Sequence, residues 1–287
     1  MIQSTIKTIL IAALSVSALP AIAQDRKQVL ERGTYLMNGI VACANCHIQR
    51  DKGKPLFDRG LSGGMVFDEE SFKAYAPNIT PDPETGIGKW TDAQLVRAIR
   101  EGIRPDGTVI GPPMPFMFYR GLSDDDLGAI IAYLRAQPPV KHAVPKSDYR
   151  IKLPPNYGPA ITAKVTAPSR KDAVKYGAYL AGPLGHCMDC HTPWVTGIPD
   201  MKRVGAGGNP FKGPWGVSVA RNLTSHATGL KNWSDTEIVR AIQRGVSKDG
   251  SPLKPPMAYD WYKNINSDDM KALTTYLRSL KPLPLGG

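Results

Sequence analysis

All four cysteines of the chain fall in two units of one pattern, Cys43-Ala44-Asn45-Cys46-His47 and Cys187-Met188-Asp189-Cys190-His191. Two thiols at this spacing can add to the two vinyl groups of a haem. The adjoining imidazole then takes an axial position on the iron, which is the attachment chemistry of c-type haem. Two other chemistries use paired cysteines. Zinc binds such pairs but gives no reason for a histidine directly after each. A dithiol redox pair does not call for duplication with histidine. The expectation is two covalently bound haem c groups, held by Cys43, Cys46, Cys187 and Cys190, with His47 and His191 as iron ligands.

A low-spin iron needs a sixth ligand. Met114 lies 67 residues after His47 and Met257 lies 66 after His191, each in a Pro-Pro-Met loop. Proline fixes the shape of such a loop, so a weak thioether ligand can be held in place. A methionine can equally be core filler, but two fillers need not share the same flanking prolines. Met117 is the alternative on the first side, yet Asp260 stands at its place on the second. Met65 and Met201 have no counterparts and read as packing residues. His142, His186 and His226 also lack matching histidines and read as structural. Trp90 and Trp233 recur beside a helix start, either walling the haem or filling the core. Arg97 and Arg240 recur too, as propionate partners or as part of a solvated helix face.

These residues are positioned by a duplicated chain. Gly33-Thr34-Tyr35-Leu36 matches Gly177-Ala178-Tyr179-Leu180, and Asn78-Ile79-Thr80 matches Asn222-Leu223-Thr224, both at an offset of 144. At an offset of 143, Trp90-Thr91-Asp92 matches Trp233-Ser234-Asp235, and Tyr133-Leu134-Arg135 matches Tyr276-Leu277-Arg278. Each copy shows the same helix signals. An opening helix spans 28–38 and recurs at 171–181. Capping boxes at Thr91/Gln94 and Ser234/Glu237 start second helices that end at Gly102 and Gly245. Third helices start at Ser123 and Ser267 and stop before Pro138 and Pro282, with apolar spacings of three and four that give each a buried face. Between the copies, residues 137–169 carry seven prolines and no helical period, an extended linker laid across the surface.

The first 23 residues read as a secretory leader. Lys7 precedes an apolar run from Ile9 to Leu19, and Ala21-Ile22-Ala23 places small residues before a cleavage at Gln24. The run is too short to span a bilayer, and no later stretch approaches spanning length. The 287 residues, 42% hydrophobic and 21% charged, allow two ordinary globular domains, and 28 glycines with 26 prolines disfavour extended sheet. A charge of +11, lowered by one with the leader, favours an acidic partner. Nucleic acid is not expected for an exported haem protein. The expected organisation is all-α: leader 1–23, haem domain 24–136, linker 137–169 and haem domain 170–287.

Each half resembles a class I cytochrome c domain. The whole chain after the leader resembles the periplasmic cytochrome c subunits of membrane-bound alcohol, gluconate and related dehydrogenases. The stretches that carry the resemblance run from Tyr75 to Asp82, from Trp90, from Arg97 to Gly102 and from Pro112 to Pro115. Members of that family commonly carry three haem domains, where this chain shows two. The resemblance implies a periplasmic dihaem carrier of single electrons. Its donor would be a periplasmic or membrane-bound dehydrogenase, and its acceptor an oxidase or another cytochrome, with peripheral membrane association compatible with either. The rival is a dihaem redox enzyme, peroxidase-like or thiosulfate-oxidising. A peroxidase needs one iron with a displaceable site, whereas both copies here carry Pro-Pro-Met. Cysteine ligation of the iron would need a fifth cysteine.

Overall fold

The computed structural model describes residues 18–213 and 215–286. The first repeat begins with α1 (Ala18–Met37), and the attachment motif forms the single turn α2 (Ala44–His47). Two antiparallel hairpins follow, β1 (Arg50–Asp51) with β2 (Lys54–Pro55) and β3 (Val66–Glu69) with β4 (Phe72–Tyr75). Helix α3 (Asp92–Glu101), the short α4 (Phe116–Tyr119) and α5 (Asp124–Ala136) complete it. After β5 (Asp148–Tyr149) the second repeat runs through α6 (Ala173–Tyr179), a π turn at Leu180–Leu184 and α7 (Cys187–Cys190). It continues with β6 (Trp194–Val195), β7 (Ile198–Pro199), β8 (Pro210–Gly213) and β9 (Gly216–Val219), then α8 (Asp235–Arg244), α9 (Tyr259–Tyr262) and α10 (Ser267–Ser279). The architecture is therefore mostly helical rather than all-α. Among the described residues four small antiparallel sheets are present, because short runs between glycine turns pair locally even where composition disfavours large sheet.

Capping fixes the middle helices. Thr91 and Gln94 form a reciprocal box, as do Ser234 and Glu237, and Gly102 and Gly245 end the helices in the left-handed conformation. The opening helices differ more from expectation. Helix α1 starts at Ala18 and so continues through the expected cleavage position, while residues 1–17 of the expected leader lie outside the described residues. Helix α6 is only seven residues long, because Pro183 lacks the N–H that regular continuation needs and the chain widens into the π turn. The last helix starts at Ser267, as expected, and is capped by Asn266.

In each repeat the first and last helices cross on a glycine. A Cβ on Gly33 would sit 2.1 Å from the Ala129 carbonyl oxygen, and one on Gly177 would sit 2.1 Å from that of Ala272. Only glycine admits this approach. Leu36, Ile40, Leu127 and Ile130 fill the first core, and Leu180, Leu184, Leu273 and Leu277 the second, within one continuous apolar cluster.

The repeats are tied by reciprocal bonds. Tyr179 Oη donates to Asp126 Oδ2 (2.7 Å) and accepts the Ser123 N–H (3.0 Å). Tyr35 Oη donates to Asp269 Oδ2 (2.8 Å) and accepts the Asn266 N–H (3.3 Å). Each tyrosine thus closes the N-terminus of the other repeat's last helix. Asp126 and Asp269 are buried, and Arg32 and Arg170 neutralise them at 2.8 and 2.7 Å. Residues 137–169 contain β5 as their one regular element and lie on the first repeat, where Asn78 Nδ2 donates to the Val140 carbonyl and Asp124 N–H to that of Val165. Among the described residues no helix is long and apolar enough to cross a membrane.

Candidate haem sites

The motif turn places its histidine inward. His47 and His191 are buried, and their Nδ1 atoms lie 2.8 Å from the Pro77 carbonyl oxygen and 2.7 Å from that of Arg221. A carbonyl only accepts, so Nδ1 carries the proton and the Nε2 lone pair is free to bind a metal. Burial lowers the pKa of both imidazoles, with the carbonyl bond opposing it, which favours the neutral form.

The carbonyl that orients each histidine is itself locked. Asn78 Oδ1 accepts the Thr80 N–H and hydroxyl (3.0 and 2.7 Å), while its Nδ2 donates to the Val140 carbonyl (2.7 Å). Asn222 does the same with Thr224 and with the Leu283 carbonyl. In the sequence these residues mark the repeat and, in the first copy, part of the family resemblance, but they carry no assigned role. Their signal was the recurrence of a polar Asn-x-Thr in a segment that the helix pattern left as loop.

The four thiols are free and unpaired by disulfide. Burial pushes Cys43 and Cys187 up to about 12 and Cys46 up to about 11, and Cys190 is raised further still. A reactive dithiol needs the opposite shift. Among the described residues no three His, Cys, Asp or Glu side chains converge as a metal cage requires. The donor set fits haem instead: two thiols on one turn, and an imidazole presented through Nε2 from an apolar wall.

Met114 and Met257 are half-buried against the same apolar cluster as Cys43 and Cys187. Met117, by contrast, is 51% exposed on α4. Met201 is 59% exposed, so the packing role expected for it does not hold; its turn after β7 faces outward. Trp90 and Trp233 are half-buried, and their carbonyls accept from Arg135 and Arg278. Arg97 is exposed beside Glu101 at 3.6 Å, and Arg240 donates to the Ser247 and Lys248 carbonyls. His142 Nδ1 lies 2.8 Å from the Ser62 carbonyl, His186 sits edge-on to Tyr119, and His226 Nδ1 accepts the Thr228 N–H. Each of these three histidines therefore has a structural partner.

The first motif meets the opposite repeat. Asn45 Nδ2 donates to the Pro256 carbonyl at 3.0 Å, so the first attachment turn touches the loop that carries Met257. Tyr119 and Tyr262 are buried, and burial raises both phenols well above their usual value.

A family model described as cytochrome c matches residues 30–138 and 174–281. The chain is 30% identical over 298 residues to the cytochrome c subunit of the quinone alcohol dehydrogenase of Gluconobacter oxydans (strain 621H), covering 96% of this chain and 60% of that protein. It is 31% identical over 254 residues to a diheme cytochrome c-type protein of Cereibacter sphaeroides, covering 82% and 81%. The gluconate 2-dehydrogenase cytochrome c subunit of Pantoea cypripedii is 28% identical over 293 residues, with 96% of this chain matching 65% of that protein. The chain thus spans about three-fifths of the alcohol dehydrogenase subunit. With two matched segments, each built around a Cys-x-x-Cys-His turn, the chain belongs to the cytochrome c family.

Proposed function

We propose that this protein is a dihaem electron carrier. It would accept single electrons from a periplasmic or membrane-bound dehydrogenase and pass them to an oxidase or another cytochrome. The observation that carries the reading is the duplicated geometry, in which a buried histidine oriented through Nδ1 follows each cysteine pair, while a half-buried methionine from a proline-bound loop packs on the apolar cluster that the first cysteine of each motif also joins. Haem at each motif supplies a one-electron iron couple. Cys43 and Cys46, and Cys187 and Cys190, would anchor the two groups. His47 with Met114, and His191 with Met257, would bind the two irons.

The residues around the motifs serve transfer rather than catalysis. The Pro77 and Arg221 carbonyls hold each imidazole in one tautomer and one orientation, so the ligand does not reorganise when charge changes. Apolar walls exclude water and favour the less charged state of the site. In this reading residues 1–23 are a leader that directs the chain to the periplasm, and 24–136 and 170–287 are the haem domains flanking the linker 137–169. The net positive charge favours a partner with an acidic face.

Carbon monoxide binding to the fully reduced protein tests the reading. A carrier with a methionine at both sites binds it slowly and weakly, since the thioether must be displaced, and does not turn over peroxide. Rapid binding at one site together with peroxide turnover would establish the dihaem enzyme instead.

A further inference from the structure

The two repeats are not equally covered. In the first, residues 145–157 return over the sheet and over the loop that carries Met114. β5 pairs antiparallel with β4, with Asp148 opposite Lys73 and Tyr149 opposite Phe72. The Tyr75 N–H donates to Ser147 Oγ (3.0 Å), and the Arg150 N–H donates to the Ser71 carbonyl (3.0 Å). Two tyrosines of this strap then hold the loop: Tyr149 Oη donates to the Pro112 carbonyl (3.1 Å) and Tyr157 Oη to that of Ile110 (3.0 Å). The Tyr149 ring lies on Gly111, where a Cβ would come within 2.3 Å of it. Tyr157 stacks on Phe116 at 4.8 Å between ring centres.

The second repeat has the same sheet 144 residues on, β8 and β9 standing where β3 and β4 stand. Among the described residues β9 pairs with β8 alone. Ser71 and Tyr75 turn main-chain groups to the strap, and strand alternation gives Val217 and Val219 the same outward sense. Their side chains flank the open edge at 52% and 51% exposure. Lys254 stands at the place of Gly111, and its Nζ reaches the outward Val217 carbonyl at 3.5 Å. Tyr259, at the place of buried Phe116, is only half-buried. An open edge with apolar flanks is a template for strand pairing, and an edge lysine guards it against the wrong partner.

We infer that the β9 edge is a docking site for an extended segment of a partner polypeptide. The segment adds antiparallel to β9, sets an aromatic hydroxyl on the Pro255 carbonyl and brings a carboxylate to Lys254. The first repeat shows what such an occupant looks like, because the chain's own Ser147-Asp148-Tyr149-Arg150 occupies the equivalent face with main-chain pairing. Strand addition takes affinity from main-chain bonds and specificity from alternate side chains. The docked segment lies on the loop of Met257, so the partner is seated beside the second haem site.

The probe is a synthetic peptide with the sequence of residues 144–158, added to the full-length haem-loaded protein. Saturable binding that slows amide exchange at residues 216–219 is the expected result. Val217→Pro removes an outward N–H without touching the pairing with β8, so its unfolding midpoint should stay near that of the parent while peptide binding is lost. A peptide with Phe in place of Tyr149 should bind several-fold more weakly. Absence of saturable binding, protection elsewhere than β9, or undiminished binding to folded Val217→Pro would overturn the inference.

Discussion

Replacing Tyr179 by phenylalanine removes one oxygen from the seam between the repeats and keeps the ring. That oxygen donates to Asp126 Oδ2 at 2.7 Å and accepts the N–H of Ser123, itself 1% exposed. The lost bond is to a carboxylate, and the Ser123 N–H is left buried without its acceptor. Each effect costs about 1–3 kcal/mol, so together they cost about 2–6 kcal/mol. Arg32 still neutralises Asp126 at 2.8 Å, which argues against the upper end and sets the expected loss at about 2–4 kcal/mol. For a chain of this size each kcal/mol lowers the unfolding midpoint by roughly 2–4 °C. Denaturant unfolding of the haem-loaded protein, followed by far-ultraviolet circular dichroism and by haem absorbance, measures both loss and cooperativity. Tyr35→Phe is the matched variant, because Tyr35 makes the same pair of bonds to Asp269 and Asn266. Since both hold one interface, the double variant should depart from additivity and separate the two unfolding probes. A loss below about 0.5 kcal/mol for Tyr179→Phe would show that the seam is hydrated, refuting the desolvation argument.

Two further outcomes follow from the geometry. Met114→Ala in the oxidised protein should remove about half of the weak sulfur-to-iron absorbance at the red edge and lower one reduction potential, whereas Met117→Ala should change neither; the reverse pattern would reassign the ligand. Asp82 is held below the ordinary carboxylate range by the Thr85 hydroxyl first and the Thr85 N–H second. Its contribution is therefore present above the unfolded value and is lost as pH falls through the folded one. Asp82→Asn should flatten the acid limb of the stability curve below roughly pH 4; thermal unfolding across that range, with an unchanged limb, would reject the assignment.

Much of the site was legible because its chemistry is local. A turn of five residues carries two thiols and an imidazole, and a capping box spans only four, so both were read where they stand. The sheet at β3 and β4 escaped because four-residue strands between turns carry too short an alternation to register as a period. The seam escaped for another reason. Tyr35 and Asp269 are 234 positions apart, and nothing in either neighbourhood announces the other. Tyrosine on an opening helix reads as core, and aspartate in a first helical turn reads as a charge on the macrodipole. Only their meeting makes the carboxylate a buried acceptor.

Duplication supplied the internal control that a single copy lacks, and its value lies as much in disagreement as in agreement. Where the copies agree, as at Asn78 and Asn222 or at Gly33 and Gly177, the shared residue answers a demand of the fold. Where they disagree, the fold is satisfied either way and something else selects the residue. Asn45 donates to the Pro256 carbonyl, but Asp189 stands at its place in the second motif, and burial pushes that carboxyl up to about 6. Asp189 has no amide N–H with which to return the bond to the loop of Met114. Each methionine loop is therefore held from a different side. The first is held by the tyrosines of the strap, and the second by Asn45 from across the seam. Among the described residues no strap tyrosine covers the loop of Met257, and Lys254 alone links it to β9, which pairs only with β8.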